Sequence, residues 1–301
     1  MSKNKINYRL DTENALAKLM REIQKQDFES EEQINEFMKK MQGKSLDDLP
    51  ESTTDKGRSQ DLVYDAYEQS VTKGKKLIKQ ALELDPDNAD AYNYLASIET
   101  DVDKALVLYT KAIEAGERSL GEEFMKENKG HFWGLIETRP YMRAKAGLAE
   151  CLFAKNRINA AIDIYLQMLE LNPNDNQGVR YLLSTVLLGK KDLSDYESFI
   201  KTHPDEDCAL WHYNNALYHF KKLGKSAKSD KELLKAYKNN QHVVDYILAI
   251  KELPKEIPHF IGRGDEDEAV AYVLDAWPTW EKTDGALAWM YGFVMERKKK
   301  N

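Results

Sequence analysis

A pattern of small and apolar residues that recurs after roughly 34 residues constrains the fold of this chain more than any other sequence feature. Its clearest copy runs from Tyr141 to Asn174, where Ala149 and Ala161 are small enough to let two helices pack closely. Pro173 ends the second helix because it lacks a backbone N–H group and disfavours helical geometry in the residue before it. One such pair of helices cannot bury its apolar face alone, so the copies are expected to stack.

Four further copies accompany this one. The first copy closes at Pro86, and the others open at Ala91, Asn176 and Leu210, with the copy at Ala91 shorter than the rest. These spacings are those of the tetratricopeptide repeat. They predict an all-α fold, a tetratricopeptide-type α-solenoid of about five irregular helical hairpins with helical caps at its ends.

The N-terminal cap is expected to contain two amphipathic helices. In the second of them, Ser30 is the predicted N-cap, Gln33 completes a capping box and Gly43 is the C-cap. The apolar side of the first helix is marked by Leu16, Leu19, Met20 and Ile23.

The chain is expected to divide into four segments. Pro50 and the polar residues around it indicate a linker between the N-terminal helices and the repeats. The predicted segments are an N-terminal helical arm at 1–43, a linker at 44–58, the repeat array at 59–250 and a C-terminal helical cap at 251–301.

The charge balance and the lack of long apolar segments argue against several classes of protein. A net charge of −7 without a dense basic stripe argues against a nucleic-acid partner, because phosphate binding requires clustered Lys and Arg. The longest uncharged runs, at 208–220 and 285–295, are shorter than the roughly 18 residues of a membrane span, and no apolar signal segment follows Met1. We therefore expect a cytoplasmic protein with Cys151 and Cys208 reduced, without a disulfide framework or a cofactor.

Polar and aromatic side chains concentrate at the start of the copy at Tyr141 and of the copy that follows it. On the concave side of a helical array, arginines next to aromatic rings suit a peptide carboxylate or a phosphate, through bidentate hydrogen bonds and stacking. The predicted partner-binding residues are His131, Trp133, Glu137, Arg139, Tyr141, Arg143, Asn176, Gln177, Arg180 and Tyr181. A structural interpretation stays open, in which Trp133 and Tyr141 are core residues and the two nearby arginines pair with Glu137 and Glu150.

No catalytic or nucleotide-binding motif accompanies these residues, such as G-x-S-x-G, H-E-x-x-H or a Walker loop. The sequence therefore predicts a non-catalytic protein-interaction scaffold that binds a peptide or protein partner in the groove of the array, and it does not identify the partner. Two alternatives stay open, a protein that associates with itself as a homo-oligomer and a metal-binding or enzymatic protein. Self-association would use the apolar residues Trp277, Trp280, Trp289 and Met290. Metal binding or catalysis would use His131 or the pair Cys208 and His212.

Three stretches carry a resemblance to a known family. They are QDLVYDA at 60–66, GHFWGLIETRPYMR at 130–143 and LNPNDNQGVRYLL at 171–183. The chain resembles the suppressor-of-tumorigenicity-seven-like proteins and their bacterial tetratricopeptide-repeat relatives over roughly residues 60–287. The resemblance implies an α-helical repeat fold and no established catalytic residues. The animal members look membrane-associated, but this chain lacks their hydrophobic segment, so a membrane location is not carried over.

Overall fold

The fold is that of a computed structural model, which describes residues 4–26, 28–42, 49, 52–203, 206–254 and 261–298. These residues form sixteen α-helices and two short 3₁₀ helices, and no β-strand occurs among them. The predicted all-α fold is therefore confirmed. The chain divides into two compact units, the first built from residues 6–151 and the second from residue 152 onwards.

The first unit contains the helices that open and close the first predicted hairpins. In chain order they are α1 (Asn4–Gln24), α2 (Glu31–Met41), α3 (Asp55–Glu68), α4 (Val71–Leu84), α5 (Ala89–Ser97), α6 (Val102–Leu120), α7 (Glu122–Glu127) and α8 (Arg139–Ala154). Two 3₁₀ helices, Phe132–Gly134 and Ile136–Thr138, connect α7 to α8. The division between the units falls near the end of α8.

The pair α3 and α4 shows why small residues recur in the sequence. Gly74 of α4 lies so close to its neighbours that an added methyl group would be 1.9 Å from the Tyr94 hydroxyl and 2.8 Å from the Ala66 carbonyl oxygen. Protein interiors have no room for such an insertion, so this position requires glycine. The buried cluster around it consists of Val63, Ala66, Ile78, Ala81, Ala91 and Tyr94.

The second unit continues the alternation of helices and short turns. Its helices are α9 (Ile158–Leu171), α10 (Val179–Leu188), α11 (Ser194–Lys201), α12 (Ala209–Leu223), α13 (Ala227–Asn239), α14 (His242–Ile247), α15 (Glu266–Glu281) and α16 (Ala286–Lys298). Ala161 and Tyr165 of α9 are buried, as the repeat pattern predicts. The predicted turn at Gly224 is also present, with a φ of 62° that glycine adopts without strain, and Ser226 caps the helix that follows.

Of the four residues predicted for self-association, three belong to the core of the second unit, and the fourth, Trp277, is half-buried. Trp280 and Met290 are fully buried, and the Trp289 ring stacks on Phe220 with centroids 4.5 Å apart. The Trp289 indole N–H also donates to Asp230 Oδ1 at 2.7 Å. These buried side chains are therefore not available as the self-association surface that the sequence suggested.

The predicted N-terminal caps agree with the structure in part. The Ser30 hydroxyl accepts a hydrogen bond from the Gln33 backbone N–H, but the Gln33 side chain accepts from the Glu29 N–H instead of completing the capping box with Ser30. Gly43, the predicted C-cap, lies outside the described residues. α3 begins at Asp55, inside the stretch predicted as a linker, because Thr54 caps it by accepting from the Gly57 N–H at 3.1 Å.

Candidate functional site

Arg143, one of the predicted binding residues, lies between two buried carboxylates. Its Nη1 and Nη2 donate to Glu13 Oε2 and Oε1 at 2.9 and 2.8 Å, and its Nε donates to Asp90 Oδ1 at 3.0 Å. Glu13 is 2% exposed and Asp90 is 1% exposed. All three guanidinium nitrogens are therefore used inside the protein, by acidic residues that stand 130 and 53 positions away in the sequence.

Asp90 of α5 contacts side chains of α3 and α8. It lies in the first turn of α5, where the helix end favours a negative charge. Asn93 Nδ2 donates to Asp90 Oδ1 at 2.9 Å, and Gln60 Nε2 of α3 donates to Asp90 Oδ2 at 3.1 Å. Asn93 also donates to Pro140 O at 2.8 Å, which joins α5 to the start of α8.

Arg139 lies one turn before Arg143 on α8 and faces the same carboxylate. Its Nη1 is 3.4 Å from Glu13 Oε2, its Nε donates to Trp133 O at 3.1 Å, and its guanidinium lies 5.4 Å from the centre of the Trp133 ring. The Tyr64 hydroxyl of α3 donates to Glu13 Oε1 at 3.5 Å. This group of four charges is called the Arg143 cluster below and consists of Glu13, Asp90, Arg139 and Arg143.

Burial and charge act in opposite directions on Arg143. Burial disfavours the guanidinium ion, but the charges of Asp90 and Glu13 outweigh it, so the pKa of Arg143 is raised well above its ordinary value. Burial also raises the pKa of the Tyr64 hydroxyl, and the negative charge of Glu13 raises it further. A buried ion pair of this kind is stabilising only while it is complete, because loss of one partner leaves the other charge unpaired.

A second ion pair fixes the same N-terminal helix. Arg21 Nη1 lies 2.9 Å from Asp61 Oδ1 of α3, and Asp61 Oδ2 accepts from the Ser52 N–H at 3.0 Å. Glu13 and Arg21 are eight positions apart, which corresponds to about 12 Å along α1. The surface beneath α1 is called the groove face below and comprises Asp61 and Tyr64 of α3, Asp90 of α5, and Arg139 and Arg143 of α8.

The second unit contains a comparable group around Arg180. Its Nε donates to Glu206 Oε1 at 2.6 Å, its Nη1 to Asp175 Oδ2 at 2.9 Å and its Nη2 to the Tyr181 hydroxyl at 2.7 Å. That hydroxyl donates to Glu206 Oε2 at 2.8 Å, and burial together with this hydrogen bond raises the pKa of Tyr181 to about 12. These residues are called the Arg180 cluster and are Asp175, Arg180, Tyr181 and Glu206.

Asp175 determines where α10 begins. Its carboxylate accepts from the Val179 N–H at 2.6 Å and from the Arg180 N–H at 3.0 Å, so it satisfies two N–H groups at the start of the helix. Because α10 begins at Val179, Asn176 and Gln177 lie in the turn before it. The prediction that these two residues open the helix is therefore corrected.

The other predicted binding residues differ in exposure. His131 and Glu137 are exposed and Trp133 is half-buried, whereas Tyr141 is buried and donates to Glu117 Oε1 at 3.3 Å. Burial also raises the pKa of Tyr141. Tyr141 is thus a core residue, as the structural interpretation predicted, and Trp133 is only partly covered.

The ten predicted residues fall into two groups. Six of them, at 131–143, belong to the first unit and four, at 176–181, belong to the second. The structural interpretation named Glu137 and Glu150 as partners of the first group's arginines, whereas the structure shows Glu13 and Asp90 in that role.

Sequence reasoning missed the acidic half of the Arg143 cluster. One signal for Glu13 was present, because it follows Leu10 by three positions and precedes Ala17 by four, the spacing of one helix side. A carboxylate on a side that also carries apolar residues indicates a buried partner of opposite charge. Asp90 gave no such signal, since an acidic residue in the first turn of a helix has an ordinary explanation.

The residues of the metal-binding alternative have other surroundings. His212 Nε2 lies 2.7 Å from Asp207 Oδ1, and Cys208 is half-buried, where burial raises the pKa of its thiol. In the part of the chain that the structure describes, no three His, Cys, Asp or Glu side chains are grouped so that they could hold a metal ion.

The fold and the site define an all-helical protein that holds one of its own helices on a charged face of others. Among the described residues, no helix combines the length and the apolar character needed to cross a membrane. No protein-family model matches the chain.

The chain is similar to proteins named suppressor of tumorigenicity 7 protein-like, which confirms the resemblance seen in the sequence. It is 28% identical to the Bos taurus protein over 235 residues, covering 70% of this chain and 42% of that protein. The Homo sapiens protein is 26% identical over 235 residues, covering 70% and 41%, respectively. The chain thus spans less than half of the length of the curated relatives it matches. The resemblance to bacterial repeat proteins stays a prediction.

Proposed function

We propose that this chain is a non-catalytic protein-interaction scaffold with a tetratricopeptide-type repeat fold, whose groove face binds a helical segment of a protein partner. The observation that carries the proposal is α1 itself. It lies on the groove face through Glu13 and Arg21, whose partners come from the first helices of two hairpins. A surface that already holds one helix has the shape and the charges to hold another.

The arrangement of charges on the groove face supports a peptide ligand over a small molecule. Arg139 and Arg143 lie at the α8 side and Asp61 lies at the α3 side, so the groove face offers positive charge at one end and negative charge at the other. The two contacts of α1 stand eight positions apart in the sequence, about two turns of an α-helix, so one ligand helix can reach both. Helices bound in grooves are read by side chains at such intervals.

The non-catalytic character of the scaffold rests on how its ionisable residues are used. Arg143 and Arg180 donate all their guanidinium nitrogens to carboxylates or a hydroxyl within the protein, and His212 pairs with Asp207. A cytoplasmic location is part of the proposal, and the two free cysteines are in keeping with a reducing compartment.

The proposal is tested by supplying α1 as a separate ligand. The receptor is a variant of the full chain with Glu13→Ala and Arg21→Ala. These substitutions remove the ion pairs that join α1 to the groove face and leave Arg143 paired with Asp90. The probe is a fluorescein-labelled peptide of wild-type residues 4–26, and binding is followed by fluorescence anisotropy. We expect saturable binding of this peptide and none of a control peptide with the same two alanine substitutions. If the folded variant, checked by circular dichroism, binds neither peptide, the proposal is wrong.

A further inference from the structure

The way in which α1 lies on the groove face is unusual for a permanent part of a fold. Among its side chains described at 10–23, Leu10 and Glu13 are buried. Of the four residues of its predicted apolar side, Leu19 and Ile23 are only half-buried, and Leu16 and Met20 are 37% and 44% exposed. A helix that belongs to the core buries its apolar side, because that burial is the main source of stability. α1 instead leaves part of its predicted apolar side exposed, and ion pairs at Glu13 and Arg21 join it to the groove face.

Among the described residues, the polar contacts of Arg21 on α1 are also incomplete. Arg143 donates from all three of its nitrogens, but Arg21 donates to Asp61 from Nη1 alone. Its buried Nε and Nη2 have no hydrogen-bond partner among the described residues. A buried donor without a partner is unfavourable, so a helix that satisfies this end better would bind more tightly than α1 does.

The groove face keeps its charge pattern without α1. Asp90 still pairs with Arg143, and Arg139 still donates to the Trp133 carbonyl oxygen, so neither arginine is left without a contact. The face then offers two arginines around one acidic residue at the α8 side and Asp61 at the α3 side. Its ligand must carry a carboxylate and, two turns further along, a cation.

We propose that α1 is an internal competitor that occupies the groove face until a partner helix of matching chemistry displaces it. The partner is an amphipathic helix with an apolar residue at the position of Leu10, a carboxylate three positions later, a small residue at the position of Ala17 and a cation at that of Arg21. This inference rests on the proposed function and adds to it both the regulation of the groove and the sequence of its ligand.

The internal competitor has a measurable consequence. A ligand that must first displace α1 binds with an apparent affinity lowered by the fraction of molecules whose groove face is free. The fluorescein-labelled peptide of residues 4–26 is therefore titrated into the wild-type chain and into the Glu13→Ala/Arg21→Ala chain. We expect saturation in both, with at least tenfold weaker apparent binding to the wild type.

A second peptide tests the order of the charges. It contains Glu13→Arg and Arg21→Glu, so its composition and net charge equal those of the wild-type peptide. We expect at least tenfold weaker binding of this peptide to the double-alanine chain, because its arginine would face Arg143 and its glutamate would face Asp61. Equal binding of the two peptides would overturn the assigned ligand sequence.

The outcomes separate this inference from the proposed function. If the wild-type peptide binds the double-alanine chain but binds the wild-type chain equally well, α1 does not compete and the inference is wrong while the scaffold function stands. If the peptide does not bind the wild-type chain even at a concentration a thousandfold above its Kd for the double-alanine chain, α1 is a fixed structural helix. This result would also overturn the inference. Light scattering tests a third possibility, in which two copies of the chain exchange their α1 helices. A wild-type chain that is a dimer, together with a Glu13→Ala/Arg21→Ala chain that is a monomer, would show this exchange and would contradict internal competition. Binding to neither chain would refute the scaffold function itself.

Discussion

The Arg143 and Arg180 clusters use the same kinds of residue but differ in the origin of their partners. Arg180 is held by Asp175 and Glu206, which stand five and 26 positions away, and by its neighbour Tyr181. Arg143 is held by Asp90 and Glu13, which stand 53 and 130 positions away.

This difference determines which cluster can respond to a ligand. The partners of Arg180 belong to the turn that starts α10 and to the segment before α12, so the cluster is complete within a short stretch of chain. The Arg143 cluster is completed by Glu13 of α1, a helix on which Leu16 and Met20 of the predicted apolar side stay exposed. A competing carboxylate can therefore replace the last member of the Arg143 cluster, whereas the Arg180 cluster offers no such exchange.

The largest expected effect comes from removing Arg143. Arg143→Ala leaves Glu13 and Asp90 buried without their main counter-ion, and breaking a buried pair of this kind costs about 3 to 5 kcal/mol. Hydrogen exchange followed by mass spectrometry, as a function of urea, resolves the stability of residues 52–151 from that of the second unit. A loss below about 1 kcal/mol would show that the cluster contributes little to the fold.

A substitution in the packed core provides a reference for the loss of stability expected from breaking an ion pair. Ala161 is fully buried on α9. Ala161→Leu is expected to overpack the second unit and to destabilise it by about 1 to 3 kcal/mol, without changing hydrogen exchange in α1. The same urea series measures this, and Ala161→Ser is the control of nearly unchanged size. Unchanged stability of the leucine variant would mean that the close helix packing inferred from small residues is wrong.

Removing Arg180 is expected to have a smaller effect than removing Arg143. After Arg180→Ala, Asp175 still caps α10 through the Val179 N–H, and the Tyr181 hydroxyl still donates to Glu206. We expect a loss of about 1 to 2 kcal/mol, the scale of charged hydrogen bonds at a partly exposed site. The urea dependence of exchange in the second unit provides the measurement, and a loss equal to that of Arg143→Ala would erase the contrast between the clusters.

The smallest effect concerns the reactivity of a thiol. Burial, together with the charge of Glu150, raises the pKa of Cys151 to about 11. At pH 8 only about one molecule in a thousand then carries the reactive thiolate, so iodoacetamide should modify Cys151 about a hundredfold more slowly than it modifies a free thiol. Peptide mapping reports the rate, and the denatured chain is the control. Equal rates in the folded and denatured chains would contradict the burial of this side chain.

The helices were predictable because their signals are local. Pro173 ends α9, Gly224 makes the turn between α12 and α13, and small residues such as Ala161 recur where helices approach each other. Each of these features depends on the backbone preferences of one residue or on a spacing within one helix. The extent of α3 was less well predicted, because a cap at Thr54 resembles the polar residues of a linker.

Only the basic residues of the Arg143 cluster were predictable from the sequence. The sequence identified Arg139 and Arg143 as unusual, but it paired them with nearby acidic residues because only short distances along the chain can be judged from a sequence. The side of α1 that faces the groove was also not foreseen. Leu16 and Met20 marked the apolar side, yet both are exposed, and the structure buries Glu13, whose carboxylate pairs with two arginines of α8.

The docking of α1 by paired charges can be tested at Arg21 and Asp61, because this pair is more exposed than the Arg143 cluster and allows a charge swap. Hydrogen exchange of residues 10–23 is measured in wild type, Arg21→Glu, Asp61→Lys and the combination of the two substitutions. We expect each single substitution to speed exchange of α1 at least tenfold, because like charges then face each other, and the combination to restore protection. A combined variant whose α1 exchanges as fast as the single variants would contradict the account.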